Sequence, residues 1–309
     1  MKQTNLVRGI VYGLLAAAIW GGMYVVSDVV LKTVPPFTLL TIRLLLGILV
    51  LGMMVYLQRA RLEKPSRSQI LQLIGIGLLG FGISVGAQFV GTDQSSAING
   101  SLVTSASPAF ILVFAALLLR EKLTLQRIAA VVLATVGVLV IIDPGKADFS
   151  SATFRGNLAL AIAAITWGLY SILIRRVSNK IDTLVVTFIA FIGGLLLTIP
   201  AAVIELQTRP VGSVDMGTIL GILYLGVIST AGAMWLWNRA FALIDASVAS
   251  LTFFAQPLVG TVLSVILLKQ QILPPLIIGG LLIILGVLLS IYSPRKIFSM
   301  RKTINLSSE

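Results

Sequence analysis

The chain has no cysteine and no histidine among its 309 residues, and charged residues make up only 11% of it. These two absences exclude a disulfide framework, a thiol nucleophile, a histidine general base and a histidine-ligated metal. A soluble globular protein carries about 25% charged residues, so this chain has too few to cover a surface that faces water. It also lacks the GxxxxGK[ST] loop of phosphate-binding enzymes. We therefore expect a protein that is neither a soluble enzyme nor dependent on a cofactor or metal.

Apolar residues are abundant instead, at 57% of the chain. A helix needs roughly 20 apolar residues to cross the bilayer, and breakers such as Pro35-Pro36 and Pro274-Pro275 separate ten such runs. The runs cover residues 9–31, 36–57, 69–91, 96–119, 125–143, 156–175, 183–205, 216–237, 247–268 and 274–293. The sequence predicts an all-α integral membrane protein with ten transmembrane helices and the lipid bilayer as a partner. Eight or nine helices are the alternative.

The net charge of +12 is not spread over one face, because the basic residues form short clusters between the apolar runs. Such clusters orient a protein in the membrane and are unlike the basic surface of a nucleic-acid-binding protein. With ten helices and a cytoplasmic N-terminus, most of the 23 lysine and arginine residues fall on the cytoplasmic side. This distribution predicts that both termini are cytoplasmic, and we expect no nucleic-acid partner.

The sequence also repeats itself. Residues 97–142 align without gaps on residues 246–291, and Trp20-Gly21 corresponds to Trp167-Gly168. The predicted units are a first five-helix repeat at 6–143, a second at 154–293 and a basic cytoplasmic tail at 294–309. Because five is odd, the second repeat must enter the membrane from the opposite side. Inverted repeats are typical of secondary transporters, whose substrate site lies near the bilayer midplane between the repeats.

Several segments resemble an EamA-type member of the drug/metabolite transporter superfamily. They are the Trp20-Gly21 helix, Arg43, the stretch AINGSLVTSASPAFILVFAALLLREKLTLQRIAAVVLATVGVLVII (97–142) and its second copy ASLTFFAQPLVGTVLSVILLKQQILPPLIIGGLLIILGVLL (249–289). The resemblance covers nearly the whole chain. It implies a secondary-active or facilitative transporter in a bacterial plasma membrane. The family pattern has a glutamate after the fourth helix of each half, which Glu121 matches, whereas the second half has Gln270-Gln271.

By the same resemblance, we expect export of small metabolites such as amino acids, by alternating access through a cavity between the repeats. A proton or ion gradient is one way to drive such export, and uncoupled facilitation is the other. The protein is expected to act as a monomer or homodimer. A channel or lipid-scramblase-like protein without alternating gates is the alternative function.

Polar side chains inside the apolar helices indicate the expected substrate path, because lipid offers no hydrogen bonds. The amide candidates are Gln88, Asn99 and Gln256. On the fourth and ninth helices, helical spacing places small and polar residues on one face. The candidates on these faces are Ser101, Ser105, Ser250 and Phe253. Helix packing is the competing interpretation for each serine. The fifth and tenth helices are almost free of polar residues, so we expect them to face lipid or to serve as packing struts.

Aromatic residues lie at matching depths on the two leading helices: Trp20 and Tyr24 on the first, Trp167 and Tyr170 on the sixth. The two tryptophans are predicted roughly 18 Å from the helix start, which is too deep for an interfacial belt. We expect them to line the cavity, with core packing as the alternative. Trp237 is expected in the interfacial belt.

Charged residues inside the predicted helices are rare, and Arg43 and Asp28 are two of them. The functional hypothesis is that Arg43 anchors a substrate carboxylate or that Asp28 accepts a proton. The structural hypothesis is an ion pair between them, or an arginine that extends toward the membrane surface. Glu121, at the cytoplasmic boundary, is expected to interact with neighbouring cations or with the start of the fifth helix.

Overall fold

The structure, a computed structural model, describes residues 3–95, 100, 103–142, 145, 150, 152–178, 180–268 and 274–291. Its helices, numbered in chain order, are α1 (Gln3–Val30), α2 (Pro36–Gln58), α3 (Arg67–Gln94), α4 (Ser107–Leu119), α5 (Leu125–Ile142), α6 (Phe154–Ser178), α7 (Thr183–Thr208), α8 (Met216–Leu243), α9 (Ala246–Ala249, Ser250–Phe254 and Ala255–Leu268) and α10 (Pro274–Ile291). The described residues contain no strand, so the all-α prediction is confirmed.

The helices have the length and surface expected in a lipid bilayer. Six of those described, α1 (over Thr4–Met23), α2, α3, α6, α7 and α8, are long and apolar enough to cross a membrane, and α4, α5, α9 and α10 contain shorter apolar stretches. Large apolar side chains point outward, among them Leu49 (71% exposed), Leu117 (70%) and Ile204 (66%). Water disfavours so much exposed apolar surface, whereas lipid accommodates it. The chain is therefore a multi-pass membrane protein.

Helix boundaries coincide with the breakers read from the sequence. α2 begins at the second residue of Pro35-Pro36, and α10 begins at the first residue of Pro274-Pro275. Proline suits these positions because the first turn of a helix has no partner for its N–H groups. Ser66 starts α3 with a reciprocal side-chain cap, which satisfies two of the otherwise unpaired donors.

Two helices contain wider, π-helical turns that the sequence did not predict. These stretches are Leu78–Ser84 in α3 and Tyr224–Gly232 in α8, and each lies in the third helix of a predicted repeat. Such turns interrupt the regular backbone hydrogen bonds and often occur at functional sites. In this protein the first stretch ends at Ser84, which lines the central cavity described below.

The helices of the two predicted repeats pack on each other in corresponding pairs. α1 lies against α9, α6 against α4, and α2 against α7. A Cβ on Gly21 would lie 2.8 Å from the backbone oxygen of Gln256, and one on Gly168 would lie 2.8 Å from the Cβ of Phe110. The glycine of each Trp-Gly pair thus permits a close approach between helices, as small residues commonly do in membranes.

α5 and α10 form a separate packed pair. A Cβ on Gly137 would lie 2.6 Å from the backbone oxygen of Gly279, and Ala134 and Ile283 belong to a small buried cluster between the two helices. Their outer faces are apolar and exposed, as at Val132. These two helices therefore do both things that the sequence allowed: they pack against each other, and their outer faces are turned toward lipid.

Candidate functional site

A cavity lies between α1–α4 of the first predicted repeat and α6, α8 and α9 of the second. It contains about 500 Å³ of atom-free space, part of it open to solvent. Its lining residues are Trp20, Met23, Arg43, Ser84, Val85, Gln88, Phe89, Thr104, Ser107, Ala163, Trp167, Met234, Phe253 and Gln256. A mostly apolar wall with a few polar groups is typical of small-molecule sites.

The tryptophans of the two Trp-Gly pairs meet in the cavity wall. The ring centroids of Trp20 and Trp167 are 5.8 Å apart and the rings are nearly perpendicular, at 78°. Trp237 packs 5.4 Å from Trp20 and 6.2 Å from Trp167, and Phe253 lies 6.1 Å from Trp20. Edge-to-face contacts of this kind are favourable, so the aromatic side chains form a firm apolar wall.

The two matching tryptophans differ in their hydrogen bonds. Trp20 Nε1 donates to the backbone oxygen of Ser229 at 3.1 Å, within the π-helical stretch of α8. Trp167 Nε1 is buried and has no hydrogen-bond partner among the described residues. An unpaired buried donor costs about 1–3 kcal/mol. Trp167 therefore differs from Trp20 in having an N–H without a partner among the described residues.

Arg43 is almost fully buried, at 2% exposure, and lines the same cavity. Its Nε donates to Thr230 Oγ1 at 3.0 Å and its Nη2 to Met23 Sδ at 3.3 Å. Its guanidinium carbon lies 5.2 Å from the ring centroid of Phe89. Within the described part of the chain, Nη1 has no hydrogen-bond partner. The arginine is thus held on two sides and keeps one donor unused.

The hydroxyl groups of the wall bond mainly to the backbone. Ser84 Oγ donates to the carbonyl of Ala163 at 2.8 Å, and Ser107 Oγ donates to the carbonyl of Thr104 at 2.7 Å. Gln256 is different, because its Oε1 is buried without a partner among the described residues. These serines connect or brace helices, whereas the Oε1 acceptor of Gln256 is buried without a partner in the described part of the chain.

The structure brings six of the thirteen predicted site residues together. In the cavity wall lie Trp20, Arg43, Gln88, Trp167, Phe253 and Gln256. Tyr170, Ser105 and Ser250 are buried outside the wall. Tyr170 stacks on Trp167 at 5.0 Å and its hydroxyl pairs with Asn238, while Ser250 donates to the carbonyl of Ser247 at 3.1 Å. For Ser250, therefore, the described hydrogen bond is local to its own helix.

Four further candidates cannot be placed in or out of the wall. Asn99 and Ser101 lie outside the described residues, and so do the side chains of Tyr24 and Asp28. The predicted ion pair between Asp28 and Arg43 therefore stays a prediction.

The expectation for Trp237 was wrong. Its side chain is fully buried in the aromatic cluster rather than at a membrane surface. The reason is that α8 continues to Leu243, so Trp237 lies well inside the helix instead of at its end. Sequence reasoning also missed the apolar wall residues Met23, Phe89 and Met234, since nothing distinguishes them from ordinary core residues.

Glu121 interacts with the other predicted repeat. Its carboxylate accepts hydrogen bonds from Ala246 N at 2.8 Å, from Ser247 N at 3.2 Å and from Ser247 Oγ at 2.6 Å. Of the two expectations for Glu121, interaction with nearby cations is confirmed by Arg127, at 3.4 Å, whereas the helix start that its carboxylate caps is that of the ninth helix and not the fifth. A carboxylate is favourable there, where the first N–H groups of α9 lack helical partners.

Two arginines extend this contact into a network of four charged residues. Arg127 lies 3.4 Å from the Glu121 carboxylate and 2.6 Å from that of Asp245. Arg175 lies 3.6 Å and 3.5 Å from the same two groups, and it also donates to the carbonyl of Phe241 at 2.7 Å. We refer to Glu121, Arg127, Arg175 and Asp245 as the Glu121 network. It links both repeats at the predicted cytoplasmic end.

One solved crystal structure has a similar fold. It superposes with a TM-score of 0.76 and 23% sequence identity, covering 91% of this chain and 96% of that chain. At this level of identity, the likeness supports the fold alone.

Known sequences give the family. An uncharacterized transporter of Archaeoglobus fulgidus is 27% identical over 277 residues, which cover 89% of this chain and 94% of the relative. A probable amino-acid metabolite efflux pump of Escherichia coli is 27% identical over 314 residues, with 96% and 98% coverage. The profile of the EamA-like transporter family matches residues 7–143 and 154–292. Since these two matches take up most of its length, the chain belongs to the EamA-like transporter family.

Proposed function

We propose that this protein exports small metabolites, such as amino acids, by alternating access through the central cavity. The observation that carries the proposal is the cavity itself, which both predicted repeats line and where Trp20 and Trp167 meet. A site shared by two matching halves can open to either side when one half tilts against the other. The name of the E. coli relative, a probable amino-acid metabolite efflux pump, supports the direction and the substrate class.

The proposal includes ten transmembrane helices in two inverted repeats, with both termini in the cytoplasm of a bacterial cell. Three observations support it. The family profile matches the chain twice, at 7–143 and 154–292. The packing of α1 on α9 corresponds to that of α6 on α4. The π-helical turns occur in the third helix of each repeat.

The Glu121 network would close the cavity toward the cytoplasm. It ties the segment before α5 in the first repeat to the start of α9 in the second. For the cavity to open at this end, the two segments must separate and Glu121 must leave the N-terminus of α9. The charged groups would then be hydrated, which offsets part of the lost attraction.

At the opposite end of the molecule, the carboxylate of Glu205 in α7 accepts hydrogen bonds from Phe37 N at 3.1 Å, Thr38 N at 2.9 Å and Thr38 Oγ1 at 3.0 Å at the start of α2. An ion pair lies at the same end. Arg209 Nη1 lies 3.0 Å and 2.9 Å from the two carboxylate oxygens of Asp93, and its Nη2 donates to the carbonyl of Leu31 at 3.2 Å. The side chains of Arg209 and Asp93 are 45% and 34% exposed. Exposed pairs of this kind stabilise a contact by only about 0–1 kcal/mol.

Counterflow tests the proposal most simply. Purified protein in liposomes is loaded with an unlabelled amino-acid mixture, and labelled amino acids are added outside. A carrier accumulates the label transiently, because efflux of the unlabelled substrate returns the site to the outside. A channel gives only equilibration, and this result would reject alternating access. Repeating the assay with and without a pH gradient tests proton coupling.

A matched pair of variants ties the flux to the cavity. Trp167→Phe changes a lining residue and is expected to alter counterflow. Trp235→Phe makes the same chemical change at a residue that contacts Tyr12, at 6.1 Å, and lies outside the wall. It should leave counterflow unchanged. Equal effects of the two variants would argue against transport through this cavity.

A further inference from the structure

Tyr170 lies behind the cavity wall and packs on a tryptophan that belongs to the wall. The rings of Tyr170 and Trp167 are stacked, with centroids 5.0 Å apart and an interplanar angle of 29°. The two residues are three positions apart in α6, a spacing that places side chains on one face of a helix. Tyr170 is fully buried, whereas Trp167 lines the cavity. Tyr170 therefore reaches the cavity through Trp167 and does not line it itself.

A buried chain of hydrogen bonds holds the Tyr170 ring. Its hydroxyl lies 3.2 Å from Oδ1 and 3.1 Å from Nδ2 of Asn238 in α8. Asn238 Nδ2 also donates to Thr187 Oγ1 in α7 at 3.0 Å, and Thr187 Oγ1 donates to the carbonyl of Thr183 at 2.7 Å. The side chains of Tyr170, Asn238 and Thr187 are all fully buried, and we refer to these three residues as the Asn238 chain. A buried network whose members are all paired makes its surroundings rigid.

Helix α3 of the first predicted repeat packs on the same tyrosine. The ring of Phe81 lies nearly edge-on to that of Tyr170, with centroids 5.2 Å apart. At Gly80, in the π-helical stretch of α3, an added Cβ would overlap the tyrosine ring. Glycine thus leaves the space that the ring occupies. Tyr170 is confined between α3 and α8, and it has little freedom to move.

The two matching tryptophans are held in different ways. Trp20 is fixed by its own hydrogen bond to the carbonyl of Ser229. The N–H of Trp167 has no partner among the described residues, so the position of this indole depends on the side chains packed around it. Three residues after Trp20 stands Met23, which lines the cavity directly. In the second repeat the same position supplies Tyr170, which supports the wall from behind.

We propose that Tyr170 is a positioning residue that fixes the indole of Trp167, and that the Asn238 chain thereby sets the shape of this side of the cavity. The inference rests on the proposed function, because a fixed wall selects among metabolites by their size. Supporting side chains of this kind hold a binding surface in its productive geometry. Without the hydrogen bond to Asn238, the indole shifts and the wall accommodates larger molecules.

Fluorine NMR of protein labelled with fluorotryptophan tests the positioning without any substrate. The chain has four tryptophans, so four signals are expected, and replacing each tryptophan in turn by phenylalanine assigns them. Tyr170→Phe removes the hydroxyl and keeps the ring. We expect the Trp167 signal to broaden or split, because the indole then exchanges between positions. Tyr12→Phe is the matched control: this ring lies 6.1 Å from Trp235, and its change should leave the Trp167 signal as it is.

Thr187 provides a second variant pair at the far end of the Asn238 chain. Thr187→Val keeps the shape of the side chain but removes the hydroxyl that accepts from Asn238, so it should broaden the same Trp167 signal. Thr187→Ser retains the hydroxyl and should preserve the narrow signal. This pair keeps the inference testable if Tyr170→Phe does not fold.

Substrate selection is the second readout. Counterflow of labelled amino acids is inhibited with unlabelled alanine or phenylalanine, and the two inhibition constants are compared. Tyr170→Phe should change their ratio in favour of phenylalanine by up to about fivefold, the equivalent of one neutral hydrogen bond. A purely structural role would lower the amount of active protein and leave this ratio unchanged. The control Tyr12→Phe should also leave it unchanged.

Either of two results would overturn the inference: a Trp167 signal that stays narrow in the folded Tyr170 and Thr187→Val variants, or an unchanged inhibition ratio in a Tyr170→Phe protein that still transports. Absence of counterflow for every amino acid would instead reject the proposed function. The fluorine signals would then still decide whether Tyr170 positions Trp167.

Discussion

The indole nitrogen of Trp20 lies 3.1 Å from the carbonyl oxygen of Ser229, and this bond connects α1 of the first predicted repeat to the π-helical stretch of α8 in the second. Arg43 binds the next residue of the same stretch, Thr230, at 3.0 Å. The irregular turns of α8 thus hold two of the side chains that line the cavity. Trp167, at the corresponding position in the second repeat, has no such bond among the described residues.

This difference predicts unequal stability effects for two equivalent substitutions. Trp20→Phe should lower the free energy of unfolding by about 1 kcal/mol more than Trp167→Phe does, because only the first change removes an existing hydrogen bond. Both substitutions replace an indole with a phenyl ring, so the loss of side-chain volume is the same in the two variants. Denaturant unfolding in one detergent measures the difference. Equal losses of stability would show that the bond between Trp20 and Ser229 does not contribute.

The close contacts at the Trp-Gly pairs give a second prediction. Gly21→Ala places a methyl group 2.8 Å from the backbone oxygen of Gln256, and Gly168→Ala places one 2.8 Å from the Cβ of Phe110. Each should destabilise the protein by about 1–3 kcal/mol, as overpacking does in other cores. Gly75→Ala is the control, since no atom lies within 4 Å of its added Cβ. Thermal midpoints of the three variants decide the matter, and a midpoint for Gly21→Ala as high as that of the control would contradict the packing argument.

The Glu121 network predicts how access to the cavity is controlled. The chain has no cysteine, so a single Ala163→Cys substitution introduces a unique label site in the cavity wall. Adding Glu121→Gln removes a charge from the network and should speed labelling of this cysteine by an impermeant maleimide in inside-out vesicles. Asp93→Asn removes the charge that pairs with Arg209 at the other end and should not speed it. If the two changes have the same effect on cytoplasmic labelling, the Glu121 network is not the cytoplasmic gate.

Hydropathy was sufficient to locate the helices, because every residue that faces hydrocarbon must be apolar and prolines mark the joints. The depth of Trp20 and Trp167 within their helices predicted that they line the cavity, and both lie in its wall. The π-helical turns could not be predicted, because they depend on how α3 and α8 pack rather than on composition.

Contacts between residues far apart in the sequence explain why the role of Glu121 and the state of Gln256 were not predicted. Glu121 caps a helix that begins 125 positions later in the chain, and no local pattern indicates that partner. For the same reason the sequence did not distinguish Gln256, whose Oε1 has no partner among the residues that the structure describes, from Ser84, whose hydroxyl is bonded to Ala163. Which polar group is satisfied depends on the neighbouring helix.

The central claim is that the two repeats cross the bilayer in opposite senses around a shared cavity. Its most direct test is impermeant labelling of two single-cysteine variants, Glu63→Cys between α2 and α3 and Ser213→Cys in the corresponding loop between α7 and α8. The account predicts that Cys at position 63 reacts only from the cytoplasm and Cys at position 213 only from outside. Labelling of both positions from the same side would contradict it.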